Sequence, residues 1–111
     1  MIIRRDVFQA IADPTRRAIL ALVAVQAMTP AAIAGNFDSA RQTIAKHIQI
    51  LAECGLLKAQ HSGRDVSYHF NPVKMQEVAA WIEPYRKMWE GRLDAMEDLL
   101  SEMQAAKEPK K

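Results

Sequence analysis

The chain has 111 residues, half of them apolar, one cysteine and a formal net charge of +2. Such a length suits one small globular domain, and a lone Cys54 excludes an intramolecular disulfide. No stretch approaches the ~20 apolar residues of a membrane-spanning helix, so no membrane partner is expected.

Charge is placed unevenly. Residues 1–71 carry eight Lys/Arg against five Asp/Glu, whereas residues 72–111 carry seven against eight. Within 39–64 the basic residues Arg41, Lys46, Lys58 and Arg64 are opposed by Glu53 alone. A local basic patch beside a near-neutral half fits a phosphate-facing surface. The N-terminal Met-Ile-Ile-Arg-Arg lacks a signal-peptide apolar run, so a cytoplasmic location is expected.

Proline marks the element starts. Four of the five prolines follow a residue that caps a helix or ends a turn: Asp13-Pro14, Thr29-Pro30, Asn71-Pro72 and Glu83-Pro84. Proline at the first helical position loses nothing, because its missing N–H has no intrahelical partner there. Asp, Thr and Asn side chains accept the unpaired N–H groups of a first turn. Helix starts are therefore predicted near residues 14, 30, 72 and 84.

In chain order, Ile3, Val7, Phe8 and Ile11 have helical spacing and predict a short helix over 3–12. A helix over 14–25 follows, with Ala18, Ile19, Leu22 and Val23 as its apolar stripe and Arg16 and Arg17 at its exposed start. A short helix over 30–35 turns Ile33 and Ala34 inward, and Gly35 is expected to end it in the left-handed conformation. The next helix, over 39–54, carries Ile44, Ile48 and Leu51 on one face. Ser39 is expected to cap it, with Gln42 completing a capping box, and Gly55 to stop it. Arg41, Gln42, Thr43, Lys46 and His47 mostly lie off the apolar face, toward the helix N-terminus. A helix entering the DNA major groove carries its base-reading side chains there.

After Leu56 the period becomes alternating. Residues 56–61 and 65–70 predict two strands joined by Ser62-Gly63-Arg64, with Val66, Tyr68 and Phe70 on one face. A short helix, a tight turn, a longer helix and a hairpin make a winged helix-turn-helix. Residues 72–104 predict two more helices, separated at Pro84. Tyr85, Met88, Trp89, Leu93, Met96, Leu100 and Met103 recur every three or four residues there. So long a stripe has no partner within one small domain, and a symmetric dimer through this segment is the expected cover. Gly91 either permits close backbone approach or is simply tolerated. The architecture is thus mainly α with a small two-stranded β wing: one winged-helix domain over 1–104, dimerised through its terminal helices, with a flexible tail over 105–111.

Four stretches then resemble one family. Phe8-Gln-Ala-Ile-Ala-Asp-Pro-Thr-Arg-Arg-Ala-Ile-Leu resembles the second-helix signature of the ArsR-type winged helix-turn-helix repressors. Arg41-Gln-Thr-Ile-Ala-Lys-His-Ile-Gln-Ile-Leu-Ala-Glu-Cys-Gly-Leu-Leu resembles their recognition helix and its exit. Ser62-Gly-Arg-Asp-Val-Ser-Tyr-His-Phe is similar to their wing. The ending from Trp81 to Leu93 resembles a subgroup with a long aromatic C-terminal helix. The resemblance implies a homodimeric, operator-binding transcriptional regulator, usually a repressor, with Arg41, Gln42, Thr43, Lys46 and His47 facing DNA and Arg64 in the wing.

Two departures qualify what is carried over. Ala40 and Ala45 stand where family members often carry serine, so base preference does not transfer. Metal-sensing members use paired cysteines in the third helix or Asp/His ligands on the last one. Here the third helix, Thr29-Pro-Ala-Ala-Ile-Ala-Gly-Asn, has no thiol, and no histidine or cysteine follows Pro72. No metal or other cofactor is expected, and an unidentified small-molecule effector stays open as a partner.

Individual residues carry two readings each. His47 either reaches DNA or is held by a neighbouring backbone group. His61 and His69 are expected to be structural or solvated, and Cys54 to fill a small buried gap rather than act as a redox switch. Trp81, Tyr85 and Trp89 are expected in a dimer core rather than an effector pocket. No nucleophile–base pair, acid pair or Gly-rich phosphate loop is present, so no enzyme is expected. The alternative to a DNA reader is a winged helix used as a protein-interaction module. The basic Arg41, Lys46 and Arg64 argue against it, since such a module has no need of phosphate partners.

Overall fold

Aspartate and threonine oxygens open the first three helices of the computed structural model, which describes residues 6–107. Asp6 Oδ1 accepts from Gln9 N (2.9 Å) at the start of α1, Val7–Ala10. Asp13 Oδ1 accepts from Thr15 N (2.8 Å) and Arg16 N (3.1 Å), opening α2, Pro14–Val25. Thr29 Oγ1 accepts from Ala32 N (3.1 Å) and opens α3, Pro30–Ala34. In α2 and α3 proline takes the first helical position, as the sequence predicts. The α1 helix is shorter than the predicted 3–12, and Ile3 lies outside the described residues.

The turn into the next helix departs from expectation twice. Gly35 stays right-handed, at φ −63°. The carbonyls that a left-handed residue would serve are met otherwise: Asn36 N and Phe37 N donate to Ile33 O and Ala34 O, and Asn36 Nδ2 donates to Ala32 O (2.9 Å). The helix α4, Arg41–Glu53, then starts two residues later than Ser39. Its N-cap is Ala40, whose carbonyl accepts from Ile44 N, and no side chain caps the first turn. The Ser39–Gln42 capping box is therefore not made, because the extended residue before the helix is Ala40. Ala40→Ser places a hydroxyl at the N-cap itself. It is expected to raise stability by about 1 kcal/mol in denaturant unfolding.

The exit from α4 is a Schellman arrangement. Gly55, at φ 80°, donates to Ala52 O, and Leu56 N reaches back to Leu51 O (3.0 Å). Strands β1, Leu57–Ser62, and β2, Asp65–Phe70, pair antiparallel from Leu57↔Phe70 to Ser62↔Asp65. This register leaves a two-residue loop, Gly63-Arg64, in place of the predicted three. Gly63 at φ 63° supplies the left-handed residue that so tight a hairpin needs at its first position. Two strands alone are marginal, and here the hairpin is anchored at three places. Met28 exchanges both backbone bonds with Tyr68 (3.1 and 2.8 Å). Asn71 N donates to Leu56 O (2.8 Å), and Asn71 Nδ2 donates to Gly55 O (2.9 Å).

The core gathers Ile19, Leu20 and Val23 of α2, Ile33 of α3, and Ile44, Ile48 and Leu51 of α4 around Leu56 and Leu57. Val7 and Ala10 of α1, Cys54 and Val78 complete it, and no polar or charged residue is buried among the described residues. Each fully buried aliphatic side chain contributes about 1.5–3 kcal/mol of transfer free energy. The α2 stripe is rotated from the predicted one: Leu20 is buried, Leu22 is half-buried and Ala18 is exposed. Tyr68 and Phe70 of β2 pack on this core half-buried.

The described chain separates into two units, Met1–Val78 and Ala79–Lys111. After a short 3-10 turn, Pro72–Lys74, capped by Asn71, one helix α5 runs Met75–Lys107 without the predicted break at Pro84. Proline inside a helix loses one bond and crowds the preceding turn, at a cost of about 3 kcal/mol. The Glu83–Arg86–Glu90 cluster bridges that turn. Arg86 Nε and Nη2 donate to the two Glu83 carboxylate oxygens (3.0 and 2.6 Å), and Nη1 donates to Glu90. The Arg86 bonds hold the Glu83 carboxyl below its usual range. Residues 105–107, expected in the tail, remain helical. In this second unit Trp81, Tyr85, Met88, Trp89, Leu93, Met96, Leu99, Leu100 and Met103 are all exposed. The Trp81 and Tyr85 rings lie 5.1 Å apart, tilted by 49°. Apart from its own helix turn, a methyl added at Gly91 would meet nothing within 4 Å among the described residues.

Candidate nucleic-acid interface

Three separate elements converge on one open groove of about 490 Å³. The first turn of α3 supplies Thr29, Pro30 and Ala31, α4 supplies Arg41, Gln42, Ala45 and Ile48, and the wing supplies Arg64, Asp65 and Val66. Arg41 and Gln42 open α4 while Arg64 closes the β1–β2 loop, so the fold joins residues more than twenty positions apart in the chain. Both arginines are exposed, as are Gln42, Thr43 and Lys46. Thr43 and Lys46 lie on α4 outside the groove's lining. Arg41 sits at the positive end of its own helix, where a cation gains nothing from the helix dipole.

His47 stands apart from this set. It is half-buried, and its Nδ1 lies 3.2 Å from Arg16 Nη1. A guanidinium has no acceptor, so Nδ1 must accept and the ring proton belongs on Nε2. Its partner is thus a side chain 31 residues away, and not the neighbouring backbone group that one of the two sequence readings offered. Arg16, predicted exposed, is half-buried and engaged through all three nitrogens: besides the Nη1 contact, Nε donates to Ala10 O (2.7 Å) and Nη2 to Gln9 O (3.0 Å). Arg17 remains exposed and donates from Nη1 to Ile11 O (2.7 Å). Sequence periodicity carries no sign of Arg16, because its acceptors are the end of α1 and a distant helix. The acidic Asp65 in the groove was equally unmarked.

Asp13 anchors the same corner. Burial pushes its carboxyl up, but the Arg16 N–H, the Thr15 N–H and the Arg16 charge hold it below the usual value. A carboxyl lowered in the folded state stabilises above its ordinary titration range, and that contribution is lost as pH falls through the folded value. Asp13→Ala is therefore expected to cost about 0.5–2 kcal/mol at neutral pH. Its unfolding free energy should also depend less on pH across the acid range than the parent's, as read by denaturant melts at several pH values.

His61 is exposed, while His69 is half-buried with Nε2 3.4 Å from Ser67 Oγ. Among the described residues no group of three His, Cys, Asp or Glu could hold a metal ion, and no helix is long and apolar enough to cross a membrane.

Comparison with known proteins places this arrangement. Residues 11–60 match a family model described as a helix-turn-helix domain. The chain is 34% identical over 77 residues to the transcriptional repressor SdpR of Bacillus subtilis, covering 69% of this chain and 86% of that one. It is similar to the solved structure of an ArsR-like transcriptional regulator from Rhodococcus sp. RHA1, at 30% identity and a TM-score of 0.63, over 84% of this chain and 88% of that one. It also resembles a homodimeric winged helix-turn-helix DNA-binding domain from Mycobacterium bovis, at 25% identity and a TM-score of 0.55, over 80% of each chain. With its helix-turn-helix, its hairpin wing and these relatives, the chain belongs to the ArsR-type winged helix-turn-helix transcriptional regulators.

Proposed function

We propose that this protein is a sequence-specific, DNA-binding transcriptional repressor that binds a palindromic operator as a homodimer. The observation that carries this reading is the groove where the N-terminus of α4 and the tip of the wing present Arg41, Gln42 and Arg64 together. In this reading α4 enters the major groove. Arg41, Gln42 and Thr43 meet base edges, and Lys46 and Arg64 hold phosphates. The first turn of α4, with no side-chain cap, leaves backbone donors for a phosphate oxygen.

The apolar stripe of α5, including Tyr85, Met88, Trp89, Leu93, Met96 and Leu100, would be covered by the same stripe of a second copy. Two-fold symmetry then sets half-sites about one helical turn apart, ~34 Å. The SdpR relative is a repressor and the Mycobacterium bovis relative is homodimeric, which supports both halves of the reading. The protein acts in the cytoplasm and without catalysis.

Selection of bound duplexes from a random DNA pool tests the proposal. The expected product is a palindrome whose half-site spacing matches one helical turn. A stable dimer that enriches no sequence would overturn it in favour of a protein-interaction module.

A further inference from the structure

The recognition helix is held by apolar packing and by a directional bond. Ile44, Ile48 and Leu51 bury one face of α4, and hydrophobic contact is non-directional, so by itself it leaves rotation about the helix axis loosely specified. No side chain caps the helix start. Against this, the Arg16 guanidinium places three donors on three acceptors: Gln9 O and Ala10 O at the end of α1, and His47 Nδ1 on α4. Its own backbone N–H is fastened to Asp13 Oδ1. One planar fork therefore joins α1, α2 and α4. His47 lies one turn beyond Thr43 and next to Lys46 on the recognition helix.

We propose that Arg16 is a positioning residue for DNA reading: through His47 Nδ1 it fixes the rotation of α4, and His47 thereby serves the scaffold and not the base-reading set. This rests on the role of α4 proposed above. Base-edge hydrogen bonds tolerate only a few tenths of an ångström about 2.9 Å. A small turn of the helix would thus misplace Arg41, Gln42 and Thr43 together. Lysine cannot replace the fork, since a single ammonium does not span acceptors set in a plane. Asparagine at position 47 keeps an acceptor near the place of Nδ1.

The test compares the parent with Arg16→Lys, His47→Ala, the double variant and His47→Asn. Binding is measured on the duplex the parent selects and on a random-sequence duplex pool, each across a salt series. Arg16→Lys and His47→Ala should each weaken the selected duplex about tenfold. The double variant should be no weaker than the worse single one. The slope of log affinity against log salt should stay unchanged, because no phosphate contact is lost. His47→Asn should recover most of the loss of His47→Ala. Nitrogen-15 spectra of the parent should show His47 Nδ1 without a proton. Additive losses, a flatter salt slope for His47→Ala, or a protonated Nδ1 in the neutral ring would overturn the proposal. If the parent selects no duplex, the DNA-reading role falls by itself, and with it the positioning role. The Arg16–His47 bond is then judged separately by the Nδ1 signal and by whether the two substitutions are non-additive in thermal unfolding.

Discussion

Arg41→Ala is expected to relax sequence choice, lowering discrimination at one base pair by about 1–3 kcal/mol, or roughly fivefold to 150-fold. The argument starts from where the side chain stands. Arg41 is exposed at the first position of α4 and lines the groove shared with Gln42 and Arg64. Its charge gains nothing from the helix dipole there, and alanine is the better helix former. The substitution should thus leave folding intact or slightly improved, and the loss appears in binding alone. An arginine fork reads the O6 and N7 of guanine, so the loss should be specific to one position of the selected site. Lys46→Ala is the contrast. It should weaken selected and unselected duplexes alike and reduce the salt slope by about one. If both variants bind the selected duplex as the parent does, α4 is not the reading helix.

Leu93→Glu should convert the dimer to a monomer and lower affinity for a palindromic duplex by at least ~10²-fold, because two half-sites no longer bind as one linked event. Leu93 is 41% exposed, between Trp89 at 61% and Met96 at 57%, on the apolar stripe of α5. Glutamate is nearly as good a helix former as leucine. The charge therefore costs little in the isolated helix and much where an apolar stripe must be buried against its copy. Sedimentation of the parent and the variant gives the mass, and the duplex titration gives the affinity. A variant that stays dimeric with parental affinity would place the interface elsewhere.

Local chemistry explains which features the sequence disclosed. The caps at Asp13 and Thr29 with proline behind them, the 3-4 spacing of Ile44, Ile48 and Leu51, the stop at Gly55 and the alternation through Val66, Tyr68 and Phe70 all act within a few residues. Such signals survive reading one letter at a time. The corrections arose where two local signals competed. Ser39 looked like a cap, yet Ala40 takes that position because the turn through Asn36 and Phe37 consumes one more residue than the motif allowed. Pro84 looked like a start, yet α5 continues through it, braced by Glu83, Arg86 and Glu90.

By itself the sequence determined the order of elements, the candidate reading residues on α4 and the apolar stripe of the last helix, since periodicity and capping are properties of neighbours along the chain. Only the tertiary structure decided that Arg41, Gln42 and Arg64 share a groove, that Met28 ties down the wing through Tyr68, and that Arg16 engages His47. Those pairings span 22 to 40 residues, with no periodic trace between them. They exist because burial of one common core brings α2, α4 and the wing to fixed places, and a hydrogen bond reports only the final distance.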